Sequence, residues 1–557
     1  MALSRALNTH RNRETLVIWL LALGLPFGLR FFVGDSFINT LDEGFLWYGV
    51  VETATGGVPV RDFQAYQPGR YYLLVALAQV FGDGLLGLRT SLAVVQSVGL
   101  AAALFALKRV VPSPFWLIPI AFAIALWQQP HFKVFESTLS LIAVLVVLRF
   151  VERPDAGRSL ACGLLFGFGA FVGHNHALYL LLAVASCVCL VTLRDARARS
   201  LRTFFAAPIG ALLGLAITFG SMIAAPGIYS AIWQRMALII RAGSTNLTLA
   251  VPWPWTLDFT SSWGLAAWGR FGISMLFVLA PAAIVLSAAL AWFGSRDGLH
   301  RRALLCATSI VGVFYMHHAF ARADPSHLAQ AIHPAILAGF ALFALAPRGR
   351  MQRGAILALS TLLVVIAPIG LDRHPLSILW KPSEKMRALD VRGDTLRVPR
   401  PVGDRLEAVM RVVAERVAAQ DTLLILNAPI LYPMLDRSAP TYELFLTLPT
   451  AANQQDLMIA DLAGVDWILI QDLAFDGRQE LRFRSTNERV WREIEETFVQ
   501  VSGTGLIPPF QLWKRATKAS RQHGSTHHRQ TWPEDGANSR PFSPEVVYPL
   551  REKELEP

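Results

Sequence analysis

Eleven apolar runs set the terms on which this chain can fold, lying near 15–33, 85–107, 112–128, 136–150, 159–173, 175–193, 203–223, 271–293, 303–319, 328–346 and 354–371. About 20 residues carry an α-helix across a bilayer, so each run is a candidate span, with the fourth and fifth on the short side. The stretch 71–82 is too short to cross and reads as an interfacial or partly embedded helix. Hydrophobic residues make up 53% and charged residues 16% of the 557, and the mean hydropathy is +0.42. That leaves too little polar surface for a water-soluble protein of this length; the chain reads as an α-helical polytopic membrane protein. No small-residue cleavage site follows the first run, which is expected to stay as an anchor. The four cysteines, Cys162, Cys187, Cys189 and Cys306, sit in apolar stretches, where a thiol behaves as a small hydrophobe.

The net charge of +11 does not form a nucleic-acid stripe, because Lys and Arg fall mostly in short loops. Arg5, Arg11 and Arg13 precede the first run, and Lys108, Arg109, Arg149, Arg153, Arg158, Arg194, Arg197, Arg199, Arg202, Arg296, Arg301, Arg302, Arg348, Arg350 and Arg353 lie at every second loop. Cytoplasmic loops carry such an excess. The expected topology therefore has a cytoplasmic N-terminus in an inner or plasma membrane. Everything after residue 371 is then periplasmic or extracellular.

Three regions follow: a transmembrane domain over 1–371 with a first outer loop at 34–70, a soluble α/β domain over 372–515, and a disordered tail over 516–557. From 385 to 420 charges recur at helical spacing, whereas TLLILN (422–427) and DWILI (466–470) read as buried strands, with FVQVS and FQLWKR as a final pair. The domain lacks a Gly-rich strand-to-helix turn, so no dinucleotide site is expected. The tail mixes His, Ser, Pro and charge with few aliphatics.

Ionisable residues of both signs gather on the outer side. The pair Asp42-Glu43 follows the first span, the turn Gly57-Val58-Pro59-Val60-Arg61-Asp62-Phe63 comes next, and Pro68-Gly69-Arg70-Tyr71-Tyr72 leads into the following helix. This loop resembles the first extracytoplasmic loop of the GT-C glycosyltransferases, in particular protein O-mannosyltransferases and aminoarabinose-type lipid A transferases. The resemblance covers residues 15–200, and the rest of the chain only in layout. It implies a polyprenyl-phosphate-sugar donor, transfer with inversion to an acceptor glycan, lipid or protein, and Asp42 as the base, assisted by Glu43. Membrane lipids are then partners, and nucleic acid is not.

Such chemistry needs a carboxylate at the acceptor and cations at the phosphate leaving group. Candidate substrate-binding residues are Arg61, Asp62, Tyr71, His174, His176, Arg322, Asp324 and His327. A divalent metal is a candidate cofactor, with Glu43, Glu136 and His174 as candidate ligands. Each residue also has a plain structural reading. Asp42-Glu43 suits a helix cap, Arg61-Asp62 a local ion pair, and Glu136 a helix N-terminal acid. His174 and His176 suit interfacial histidines without a ligand, and Arg322-Asp324 a closed turn before Pro325. The loop 224–270 carries Trp233, Trp253, Trp255, Trp263 and Trp268, which serve either as bilayer anchors or as a flap that stacks on sugar. The alternative function is a transporter or flippase of a lipid-linked or polar solute. Against it, no internal repeat is visible, and the charges lie at one surface.

Overall fold

A helix occupies every one of the eleven apolar runs. The structure, a computed structural model, describes residues 2–194, 200–242, 247–258, 264–293, 299–344, 349–380, 385–446 and 450–517. Arg197, Arg199, Trp263, Arg296, Arg348 and the tail from residue 518 lie outside them. In chain order the first helices are α1 (Ala2–Val33), α2 (Asp42–Ala54), α3 (Pro68–Phe81), α4 (Leu85–Leu107), α5 (Leu117–Trp127), α6 (Val134–Glu152), α7 (Ala156–Val172) and α8 (His174–Arg194). They are followed by α9 (Leu201–Gly220), α10 (Ile228–Ala242), α11 (Leu265–Phe293), α12 (Leu299–Ala321), α13 (Pro325–Ala331), α14 (His333–Phe343) and α15 (Arg350–Gly370).

Among the described residues eight helices are long and apolar enough to cross a membrane, and α13 with α14, bent by 59°, makes nine. The shorter apolar helices are Pro114–Trp127 and Ala156–Val172. The fourth run is therefore not short: its helix, His131–Glu152, has 22 residues, because the polar start Glu136-Ser137-Thr138 is buried among neighbouring helices and stays helical. The fifth run is short as expected, and the third is short as well. Leu20, Phe31, Leu212 and Phe293 point outward from their helices, a density of exposed apolar side chains that a hydrocarbon surround accepts and water does not. The chain is an integral, multi-pass membrane protein.

Small residues decide how closely these helices approach. The most extensive helix pair is α7 with α9, and each carries glycines four apart, Gly163 and Gly167 facing Gly210 and Gly214. A Cβ on Gly163 would lie 2.0 Å from Ala207 O, and one on Gly167 2.5 Å from the Gly214 backbone. In a bilayer, where apolar burial gives no net drive between helices, such close backbone contact supplies the attraction.

By its contacts the chain divides into two units, Met1–Ile38 with Gly49–Pro399, and Asn39–Tyr48 with Arg400–Pro557. The boundary expected at 371/372 thus falls at 399/400. Residues 385–399 are not helical either, but form an antiparallel hairpin of β1 (Met386–Val391) and β2 (Asp394–Pro399). Arg392 and Gly393, at φ 48° and 84°, make the two-residue turn that hairpin twist favours. The hairpin belongs to the helical unit because Arg397 pairs with Asp35 at 2.6 Å, and Asp394 accepts the Leu86 N–H at 2.8 Å at the start of α4.

The second unit continues with α16 (Arg400–Arg416), β3 (Leu423–Leu426), α17 (Leu431–Met434), α18 (Ala452–Leu462), β4 (Trp467–Gln471), α19 (Phe483–Thr486), α20 (Glu488–Thr497), β5 (Phe498–Gln500) and β6 (Phe510–Arg515). Its sheet has the order β3-β4-β6-β5, with β3 parallel to β4 and the other neighbours antiparallel. All four expected strands are present. Leu424, Leu426, Ile468, Ile470, Val490 and Ile494 fill the core between the sheet and its helices.

Candidate functional site

In the helical unit the starts of α3, α6 and α8 meet the last turns of α12. Arg70, in the first turn of α3 and 3% exposed, donates from Nη2 to Glu136 Oε1 at 2.7 Å and from Nε to Val172 O, at the end of α7, at 2.7 Å. Glu136 stands in the first turn of α6, where the helix dipole favours a carboxylate. On its other side His176 Nε2 lies 3.9 Å from the same Oε1, while His176 Nδ1 lies 3.1 Å from the hydroxyl of Tyr315 on α12. Tyr179, one turn further along α8, faces His317 Nδ1 at 3.0 Å.

Aromatic rings wall the guanidinium. Arg70 Cζ sits 4.8 Å from the Tyr66 ring centroid and 5.3 Å from that of Phe135. Lys133 approaches the same Tyr66, its ammonium 4.5 Å from the centroid and hydrogen-bonded to the hydroxyl. Such contacts hold a cation where water does not. The backbone leaves room for this arrangement at one glycine: a Cβ on Gly173 would lie 2.7 Å from His176 Cδ2 and 3.1 Å from Arg70 Nη2.

Among the described residues Arg70 Nη1, Glu136 Oε2 and, on the first residue of α8, His174 Nε2 are buried without a hydrogen-bond partner. Arg235 on α10 acts electrostatically on His174, as Arg70 does. An unmatched buried donor or acceptor costs about 1–3 kcal/mol, more when charged.

The turn between α12 and α13 is organised differently. Arg322 Nε donates to Asp324 Oδ2 at 2.7 Å and Nη1 to Leu247 O at 3.1 Å. Asp324 caps α13 by accepting the His327 N–H at 2.8 Å, and His327 Nδ1 lies 2.9 Å from the same carboxylate. Burial works against the ionised Asp324, but the His327 bonds and the Arg322 charge bring its pKa down to about 2. This carboxylate is charged at any working pH. The turn is the closed, capped one, and Arg322 and His327 are directed to Asp324.

Arg61 and Asp62 form a two-point ion pair, Nε to Oδ1 at 2.6 Å and Nη2 to Oδ2 at 2.7 Å. Asp62 also accepts the Val58 N–H at 2.8 Å, and Arg61 Nη1 donates to Pro226 O at 3.1 Å. The hydrogen bond from Arg61 holds the Asp62 carboxyl below its usual range. Tyr71 is fully buried, and its hydroxyl accepts the Tyr66 N–H at 3.0 Å.

In the second unit Asn39 Oδ1 accepts the N–H groups of Leu41 at 3.0 Å and Asp42 at 2.9 Å. Glu43 returns to the Asn39 N–H at 3.2 Å, a reciprocal cap at the start of α2. Glu43 is 1% exposed, whereas Asp42 is only half-buried. Among the described residues no group of three or more His, Cys, Asp or Glu side chains is placed to hold a metal ion. No step is assigned to a metal.

Sequence reasoning placed Glu136, His174 and His176 among its candidates but did not pair them with Arg70. It passed over Tyr66, Tyr179 and Tyr315 altogether. The available signal was the cation Arg70 at the start of an apolar helix, where a charge needs a stated partner.

No protein-family model matches the chain, and no curated protein matches it. Among solved structures the fold is similar to the archaeal oligosaccharyltransferase AglB from Archaeoglobus fulgidus in complex with an inhibitory peptide and a dolichol-phosphate, at 13% identity and a TM-score of 0.46, covering 91% of this chain and 75% of that one. It is also similar to apo ArnT from Cupriavidus metallidurans, at 12% identity and a TM-score of 0.44, covering 92% of this chain and 98% of that one.

Proposed function

We propose that the chain is a glycosyltransferase of the GT-C type. It moves a sugar from a polyprenyl-phosphate-linked donor to an acceptor glycan, lipid or protein on the outer face of the membrane, with inversion. One observation carries the reading: a buried Arg70 is paired through Nη2 with Glu136 Oε1, while Arg70 Nη1, Glu136 Oε2 and, on a histidine that Arg70 influences electrostatically, His174 Nε2 have no partner among the described residues. A phosphosugar supplies what these atoms lack, phosphate oxygens for Arg70 and a sugar hydroxyl for Glu136. The cations Arg70 and Lys133 act on Glu136 and Arg235 on His174, a cationic surround that a departing lipid phosphate requires in a low-dielectric setting. A lipid-linked donor reaches such a site from the bilayer without leaving it.

Asp42 is the proposed base, on the strength of the loop in which it stands. It takes the acceptor's proton while the anomeric carbon gains positive character. Glu43, spent on the cap, supports the backbone that presents Asp42. The orientation proposed is N-terminus cytoplasmic and C-terminal unit outside, as the loop charges require.

The test is transfer from a panel of polyprenyl-phosphoryl sugars by the protein in nanodiscs, with membrane extract supplying the acceptor. Asp42→Asn is expected to lower the rate by about 100- to 10,000-fold, and Arg70→Met to weaken donor binding. Activity of Asp42→Asn within a few-fold of wild type removes Asp42 as the base. Absence of transfer from every donor removes the transferase reading.

One observation favours transport instead, the 59° break between α13 and α14 beside His333, whose two ring nitrogens are both buried without a partner. Transporters place sites at broken helices. Labelling of a cysteine at the break from each side of the membrane in turn separates the readings.

A further inference from the structure

The proline-rich segment Val251-Pro252-Trp253-Pro254-Trp255 builds a feature that the phosphate cluster does not use. Trp253 and Trp255 are stacked in parallel, with ring centroids 5.2 Å apart and planes 6° apart. Trp253 leans on Phe320 at 6.4 Å, and Phe320 stands edge-on to Phe277 at 5.6 Å. Phe277 is 1% exposed and Trp255 68% exposed, so a ladder of rings runs from the bundle core to one open indole face. Two prolines fix the backbone on either side of Trp253, and Arg322 ties the segment down through Leu247 O.

We infer that the outer face of Trp255 is a stacking platform for a sugar ring, deepening the transferase reading on which it rests. One face of a pyranose presents C–H bonds, which settle on the electron-rich face of an indole. A bilayer anchor is built otherwise, as a single ring free to turn its N–H toward the headgroups; Trp233, 74% exposed on α10, has that form. Trp255 is instead backed by a second ring in parallel. Its position also suits a sugar. Phe320 lies five residues beyond Tyr315 on α12, about 7.5 Å along the axis, and Tyr315 hydrogen-bonds the His176 of the phosphate cluster. The sugar comes either from the donor or from a glycan acceptor.

Saturation-transfer NMR on the full chain in nanodiscs tests this, with methyl glycosides of the common hexoses as one set of probes and short-chain polyprenyl-phosphoryl hexoses as the other. Wild type is expected to transfer saturation to the C–H protons of one ring face. Trp255→Ala should lower that signal at least five-fold, Trp255→Phe should keep part of it, and Trp233→Ala should leave it intact. Loss with methyl glycosides marks a glycan acceptor, and loss confined to the phosphoryl hexoses marks the donor. The proposal is overturned by a signal indifferent to Trp255→Ala, by no signal from any probe, or by quenching of Trp255 fluorescence by lipids brominated in their acyl chains. The transferase reading fails separately, in the transfer assay, and a sugar platform on a protein without that activity still gives the Trp255-dependent signal.

Discussion

Removing the Glu136 carboxyl would strand the Arg70 guanidinium among Tyr66, Phe135 and the helix ends, with Val172 O as its remaining hydrogen-bond acceptor among the described residues. An uncompensated buried charge costs about 3–5 kcal/mol. Glu136→Ala is therefore expected to lower the melting temperature in detergent by several degrees. Arg70→Met combined with Glu136→Met should recover most of that loss, because neither charge is then left alone, while transfer activity stays absent. A double variant that regains activity would show the pair to be structural only. At this scale the sequence was informative about which residues are unusual and silent about whom they meet. Arg70 and Glu136 are 66 positions apart, and no local pattern relates them. Arg322 and His327 were candidates for phosphate with Asp324 orienting one of them, and in the structure Asp324 bonds both.

Between helices the decisive groups are the ones without side chains. The glycines of α7 and α9 bring two backbones within contact, and a Leu at Gly167 would have to displace Gly214 itself. Overpacking costs about 1–3 kcal/mol, and here backbone, not a flexible side chain, must give. Gly167→Leu should lower the thermal midpoint in detergent measurably, while Gly24→Leu, where nothing lies within 4 Å of the added Cβ, should not. Equal midpoints would place the stability of that pair elsewhere. The element positions themselves were largely readable, because 20-residue apolar runs and short all-apolar strands are local signals. The exception was 385–399, where charge at helical spacing suggested a helix. Arg392-Gly393, Leu396 and Val398 form a hairpin instead, with Leu396 and Val398 fully buried, and burial on alternate positions outweighs the spacing of the charges.

Across the whole molecule the loop charges make one prediction. With the native cysteines replaced, Gln500→Cys should react with an impermeant maleimide in intact cells and Ser113→Cys only after the membrane is opened; the reverse pattern would invert the topology. That expectation needs the sequence alone, as do the multi-pass character, the span positions and the α/β nature of the C-terminal sheet. A bilayer imposes length and apolarity on each crossing segment separately, and a buried strand shows its burial in its own residues. The tertiary structure decided the rest: that Arg70, Glu136 and His176 share one buried cluster with Tyr315, that Arg322 and His327 bond Asp324 in the turn before α13, and that residues 386–399 join the helical unit. Those outcomes depend on how each helix is rotated and how closely its neighbours approach, which is a property of side chains far apart in the chain and not of any stretch read by itself.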